Sequence, residues 1–102
     1  MGGEQFQVFI SANAKSVENT GDAFRLAQQR ARCSYGYEGY TGTIAEKIDY
    51  IMREKDMIDW EKLEEFANKD GLDNDKWGPA YCVKVGRENQ FIGWMFYGWA
   101  SS

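Results

Sequence analysis

A chain of 102 residues with a net charge of −4 suits one domain with a single modest core, and is too acidic overall for a protein whose main task is to neutralise nucleic-acid phosphates. It contains no histidine, so the commonest general base and metal ligand are missing, and the spacing of Cys33 and Cys82 matches no zinc or redox motif. Four Trp, six Tyr and six Phe imply either an aromatic-rich core or an aromatic contact surface.

From the amino end, Phe6, Val8, Ile10 and Ala12 alternate with Gln5, Gln7 and Ser11, broken by Phe9, which is the period-two pattern of a strand with one buried face. A polar loop over 13–19 leads to a helix from Thr20 to Tyr35, capped by Thr20 or Asn19, with Asp22 placed favourably in its first turn. At 100° per residue, Ala23, Phe24, Leu26, Ala27, Ala31 and Tyr35 share an arc, opposite Arg25, Gln28, Gln29 and Arg32. Arg30 falls inside the apolar arc. It either snorkels at the rim or pairs with a carboxylate from the next helix, or points toward an anion held by the glycine-rich stretch that follows.

That stretch runs from Tyr35 to Thr43 and places Gly36, Gly39 and Gly42 three residues apart, with Tyr37 and Tyr40 between them. Thr43-Ile44-Ala45-Glu46 reads as a capping box opening a second helix, with Ile44, Ile48, Ile51 and Met52 as its stripe and Asp49–Arg53 as an i,i+4 pair. Backbone N–H groups at such a helix start can hold an anion, which makes Arg30, Tyr37, Gly39, Tyr40, Gly42 and Thr43 a candidate phosphate or nucleotide site. The plainer reading is a structured turn whose tyrosines pack across two helices. The stretch is neither a Walker A loop, lacking a Lys before Thr43, nor a dinucleotide fingerprint, following a helix and not a strand. The run Tyr35-Gly36, then Gly39-Tyr40-Thr41-Gly42-Thr43-Ile44-Ala45, resembles a pattern in small uncharacterised proteins of bacteria and their phages. The resemblance implies a phage or mobile-element origin and carries no activity or site residue with it.

Asp59 is placed to cap a short third helix with Trp60, Leu63, Phe66 and Ala67 on one face, closed by Gly71 in a left-handed conformation. Residues 72–78 read as a polar connection, and Pro79 discourages further helix. Tyr81, Val83 and Val85 then alternate with Cys82 and Lys84 as a strand, Gly86-Arg87-Glu88-Asn89 reads as a hairpin turn, and 90–99 returns as a strand apolar on both faces. The order β-α-α-α-β-β predicts an α+β domain spanning 1–102, with a small, mainly antiparallel three-stranded sheet and helices on one face.

Charge is segregated. Residues 54–76 carry nine acidic and four basic groups, whereas 1–53 balance at six and six. Glu61, Glu64 and Glu65 therefore offer a docking face for a basic protein partner, and Trp94 and Trp99 offer an aromatic one that would serve a partner or a homodimer. Base stacking on Trp94, Phe96, Tyr97 and Trp99, with Arg25, Arg30 and Arg32 on phosphates, is disfavoured by the total charge. Asp70, Asp73, Asn74 and Asp75 form an oxygen-rich loop, but Trp77 and Lys84 fall where a calcium loop needs ligands. Cys33 lies near Arg30 and Arg32 but has no histidine to act as base, and Glu64 and Glu65 diverge on their helix. No cofactor motif is present. With no signal peptide and no apolar run of spanning length, the expectation is a cytoplasmic, non-enzymatic interaction protein, a phage-type modulator of a host macromolecule, with a small-ligand binder as the alternative.

Overall fold

The computed structural model describes residues 3–35, 44, 47–74 and 78–101. Its elements are β1 (Gly3–Ser11), α1 (Thr20–Tyr35), β2 (Tyr50–Met52), β3 (Ile58–Asp59), α2 (Trp60–Asp70), a 3-10 turn at Gly71–Asp73, β4 (Ala80–Arg87) and β5 (Gln90–Ser101). The sheet runs β1-β5-β4-β2, and β3 also pairs with β4. β1–β5 and β4–β5 are antiparallel, while β2 and β3 lie parallel to β4. The domain is α+β as expected, but the sheet is mixed and five-stranded.

The alternation along β4 and β5 explains why both faces are covered. Ala80, Cys82, Trp94, Phe96 and Ala100 point to one side, where they pack with Phe6 and Ile10 of β1 and with Ala23, Phe24 and Ala27 of α1. Val83, Val85, Met95 and Tyr97 point to the other side and meet Leu63 and Ala67 of α2. The two described helices therefore lie on opposite faces, which corrects the one-sided arrangement expected from the sequence. The apolar character of β5 on both faces is the signature of a strand buried between two layers.

The largest departure lies in 44–52. The isoleucine stripe is not used as a helix face: Ile44 is buried in the core beside α1, Ile48 is 96% exposed, and Tyr50–Met52 pairs with Ala80–Cys82 as a strand. Tertiary packing overrides the local period here. The Tyr50 ring sits 5.0 Å from Phe24 and 5.8 Å from Phe96, and a strand is the conformation that delivers it there while covering the outer edge of β4. The Asp49–Arg53 pair is likewise absent: Asp49 Oδ1 accepts from the N–H of Tyr50, and Arg53 binds Asp70. Thr43 and Glu46, the ends of the expected capping box, lie outside the described residues.

Helix starts follow the sequence closely. Asn19 Oδ1 accepts from the N–H of Asp22, whose carboxylate accepts in turn from the N–H of Glu18, a reciprocal cap on α1. Asp59 Oδ2 accepts from the N–H of Glu61 at the start of α2. Gly71, in contrast, is right-handed (φ −61°, ψ −22°), so α2 runs on into the 3-10 turn where a left-handed stop was expected. In the β4–β5 hairpin the turn is made by Glu88 and Asn89, both at positive φ (54° and 65°), as a type I′ turn requires. Gly86 instead sits at the register shift beside Val85, where the side chain of Met57 packs against it.

Candidate functional site

Three groups of side chains stand out. The first is a buried polar hub. Lys47 is 3% exposed, and its Nζ donates to Asn74 Oδ1 (3.3 Å) and to the carbonyl of Gly78 (3.0 Å). Asn74 Nδ2 donates to the carbonyl of Pro79, and Asn74 Oδ1 also accepts from the backbone N–H of Trp99. β4 pairs with β5 only as far as Tyr81↔Tyr97, so the Asn74 amide supplies the acceptor that a longer β4 would have offered to Trp99. Gly98 makes room for it: φ is +147°, and a Cβ there would lie 2.6 Å from Asn74 Cγ. These bonds give the hub a structural role, joining the segment around residue 47, the approach to β4, and the end of β5.

The second group is the outer face of α2. Because Leu63 and Ala67 are buried against the sheet, Glu61, Glu64 and Glu65 project into solvent. With Asn68, Lys69 and Leu72 they line a shallow depression of about 600 Å³. Leu72 is 66% exposed, and none of the three glutamates forms an ion pair among the described residues. An exposed leucine bordered by carboxylates can receive an apolar side chain flanked by cations.

The third group lines a cleft of about 610 Å³ between the start of α1 and the β4–β5 hairpin. Asn19 and Thr20 come from the cap of α1, Lys55, Asp56 and Met57 from the link between β2 and β3, and Lys84, Phe91 and Trp94 from the hairpin strands. Lys84 and Trp94 face each other across the β4–β5 register. Phe91 and Trp94 meet edge to face at 5.0 Å.

The candidate residues of the sequence fall in different places. Glu61, Glu64 and Glu65 share the depression on α2. Trp94 is 5% exposed and belongs to the core beside α1, so it is not the free aromatic docking group foreseen, and Trp99 is half-buried. Phe96 and Tyr97 are buried on opposite faces of the sheet, which removes the base-stacking ladder. Arg30 is exposed on α1, while Tyr37, Gly39, Tyr40, Gly42 and Thr43 lie outside the described residues. Arg25 is engaged by Asp22.

In the acidic loop, Asp70 is held by Arg53 and Tyr97, and Asn74 by the hub, while Asp75 lies outside the described residues. Among the described residues no cluster of three or more His, Cys, Asp and Glu is arranged to hold a metal. Burial pushes the Cys82 thiol up to about 12, far from the range of a reactive thiolate. Sequence reasoning missed Lys55, Lys84 and Phe91 as neighbours, because the cleft joins three segments far apart in the chain. The one local signal was Lys84, a lone cation in an otherwise apolar run.

No family model matches the chain, and no curated protein or solved structure shows significant similarity to it. Among the described residues no helix is long and apolar enough to cross a membrane.

Proposed function

We propose that the protein is a non-enzymatic interaction module that docks a basic protein segment on the outer face of α2. The observation that carries this reading is Leu72, exposed in a depression bordered by Glu61, Glu64 and Glu65. An apolar anchor flanked by lysines or arginines is the complementary partner, with the carboxylates setting rate and orientation and Leu72 supplying burial. Asp70, Lys47 and Cys82 support a non-enzymatic role, because each is committed to packing or to structural hydrogen bonds.

Binding of an amphipathic Lys/Leu peptide, followed by fluorescence anisotropy across a salt series, tests the reading. The expected result is binding that weakens as salt rises, falls at least tenfold in the triple variant Glu61→Lys, Glu64→Lys, Glu65→Lys, and falls again in Leu72→Ser. Binding left unchanged by the triple variant refutes the acidic face as the docking surface.

A further inference from the structure

The cleft at the start of α1 combines features that the docking surface on α2 does not use. Among the described residues, two ammonium groups, Lys55 and Lys84, line it against one carboxylate, Asp56, a local positive balance in a protein whose net charge is −4. Neither lysine forms an ion pair among the described residues. Asn19 and Thr20 bring the first turn of α1 to the same space, and once Asn19 Oδ1 has taken the N–H of Asp22, the N–H groups of Thr20 and Gly21 are left without acceptors among the described residues. Phe91 and Trp94 add an aromatic wall, part exposed and part buried.

A further observation is independent of the helix start. Trp94 Nε1 is buried and has no hydrogen-bond acceptor among the described residues. An indole N–H normally finds a partner when it is taken out of water. One left without an acceptor in a residue that lines a cleft is a place where a ligand oxygen gains more than at a solvated donor.

We propose that this cleft binds a nucleoside monophosphate. The single phosphate is held by Lys55, Lys84 and the first turn of α1, and the flat base lies against Phe91 and Trp94. A volume of about 610 Å³ suits a ligand of this size. Two cations offset by one carboxylate suit one phosphate and not a run of them, which separates this ligand from a nucleic-acid strand.

Isothermal titration calorimetry and thermal shift with AMP, GMP, CMP and UMP, and with inorganic phosphate and the free nucleosides as separate arms, test the proposal. At least one monophosphate is expected to bind and raise Tm, with its nucleoside and inorganic phosphate each at least tenfold weaker. Lys84→Gln and Lys55→Gln are each expected to weaken binding at least fivefold. Trp94→Phe keeps an aromatic group but removes the N–H and part of the buried ring, so it is expected to weaken binding and also to lower the Tm of the free protein. If Trp94→Phe does not fold, the two lysine variants decide. The proposal is overturned if no monophosphate binds, if both lysine variants bind as tightly as the wild type, or if a nucleoside binds as well as its monophosphate.

Discussion

Arg53 holds the Asp70 carboxylate by both oxygens, Nε to Oδ2 at 2.9 Å and Nη2 to Oδ1 at 3.1 Å. Tyr97 donates its hydroxyl to the same Oδ2 at 2.7 Å, and the Arg53 guanidinium lies 4.1 Å from the centre of the Tyr81 ring. Asp70 ends α2, where the helix dipole disfavours a negative charge, so the arginine is needed there. The arrangement ties the residue after β2 to the end of α2 and to the middle of β5.

The Arg53 hydrogen bonds, with help from Tyr97 and against partial burial, hold the Asp70 carboxyl below its ordinary value of 3.8. A carboxyl with a depressed folded pKa contributes stability above its unfolded value and loses it as pH falls through the folded one. Asp70→Asn is therefore expected to cost about 1–2 kcal/mol near neutral pH, from the loss of charge-assisted hydrogen bonds. The gap between variant and wild type should narrow as pH falls below about 3.8 and through the lower folded value, where the native carboxyl takes up its proton. Urea unfolding of both proteins across the acid range measures it.

On the alkaline side the signs reverse. Burial raises the Cys82 thiol from 9.0 to about 12. Burial, then the hydrogen bond to the Asp70 carboxylate, raises the Tyr97 hydroxyl above 10.0. Raised groups give stability that is complete below their unfolded values and is lost as pH rises toward the folded ones. Stability is expected to decline from about pH 9 upward, and Cys82→Ala should remove the first part of that decline. Guanidinium midpoints at successive pH values, with thiol titration of the native protein, provide the check.

Gly98→Ala is expected to destabilise by about 1–3 kcal/mol, since it meets both a backbone conformation that L residues rarely adopt and the side chain of Asn74. Asn74→Ala removes the obstacle but also removes the acceptor of the Trp99 N–H and one acceptor of Lys47 Nζ. In an Asn74→Ala background the Gly98→Ala cost should shrink to the backbone part alone, a coupling that a double-mutant cycle reads from four unfolding curves.

Ile44 and Ile48 lie four residues apart and behave oppositely. Ile44→Ala is expected to cost about 2–5 kcal/mol, as for a buried aliphatic side chain. Ile48→Ser should stay within about 0.5 kcal/mol of the wild type. Equal costs at the two positions, measured by thermal denaturation, would restore the helical stripe in place of the strand.

The sequence was most legible where local chemistry and tertiary demand agree. Alternation in 4–12, caps at Asn19 and Asp59, and the apolar face of Leu63 and Ala67 each specify an element without help from distant residues. It misled over 44–52, where a helical period competed with the need of β4 for an edge partner and of Phe24 and Phe96 for a ring between them. The acidic face was readable because its members share one helix. The cleft was not, because Thr20, Lys55 and Lys84 become neighbours only once β2, β3 and β4 have paired. Nor did any local pattern mark Lys47 as buried; Asn74 and Gly78, two of the residues it bonds, lie far along the chain.

β1 pairs along its whole length with β5, in a register that joins Gly3 to Ser101. During synthesis β1 therefore leaves the ribosome well before β5, the strand that covers its edge. Until β5 follows, Phe6, Val8, Phe9 and Ile10 form an exposed apolar strand with open backbone donors and acceptors, the kind of segment that chaperones bind and that aggregates when they do not. Truncation before β5 should thus yield not a weakened domain but an insoluble chain.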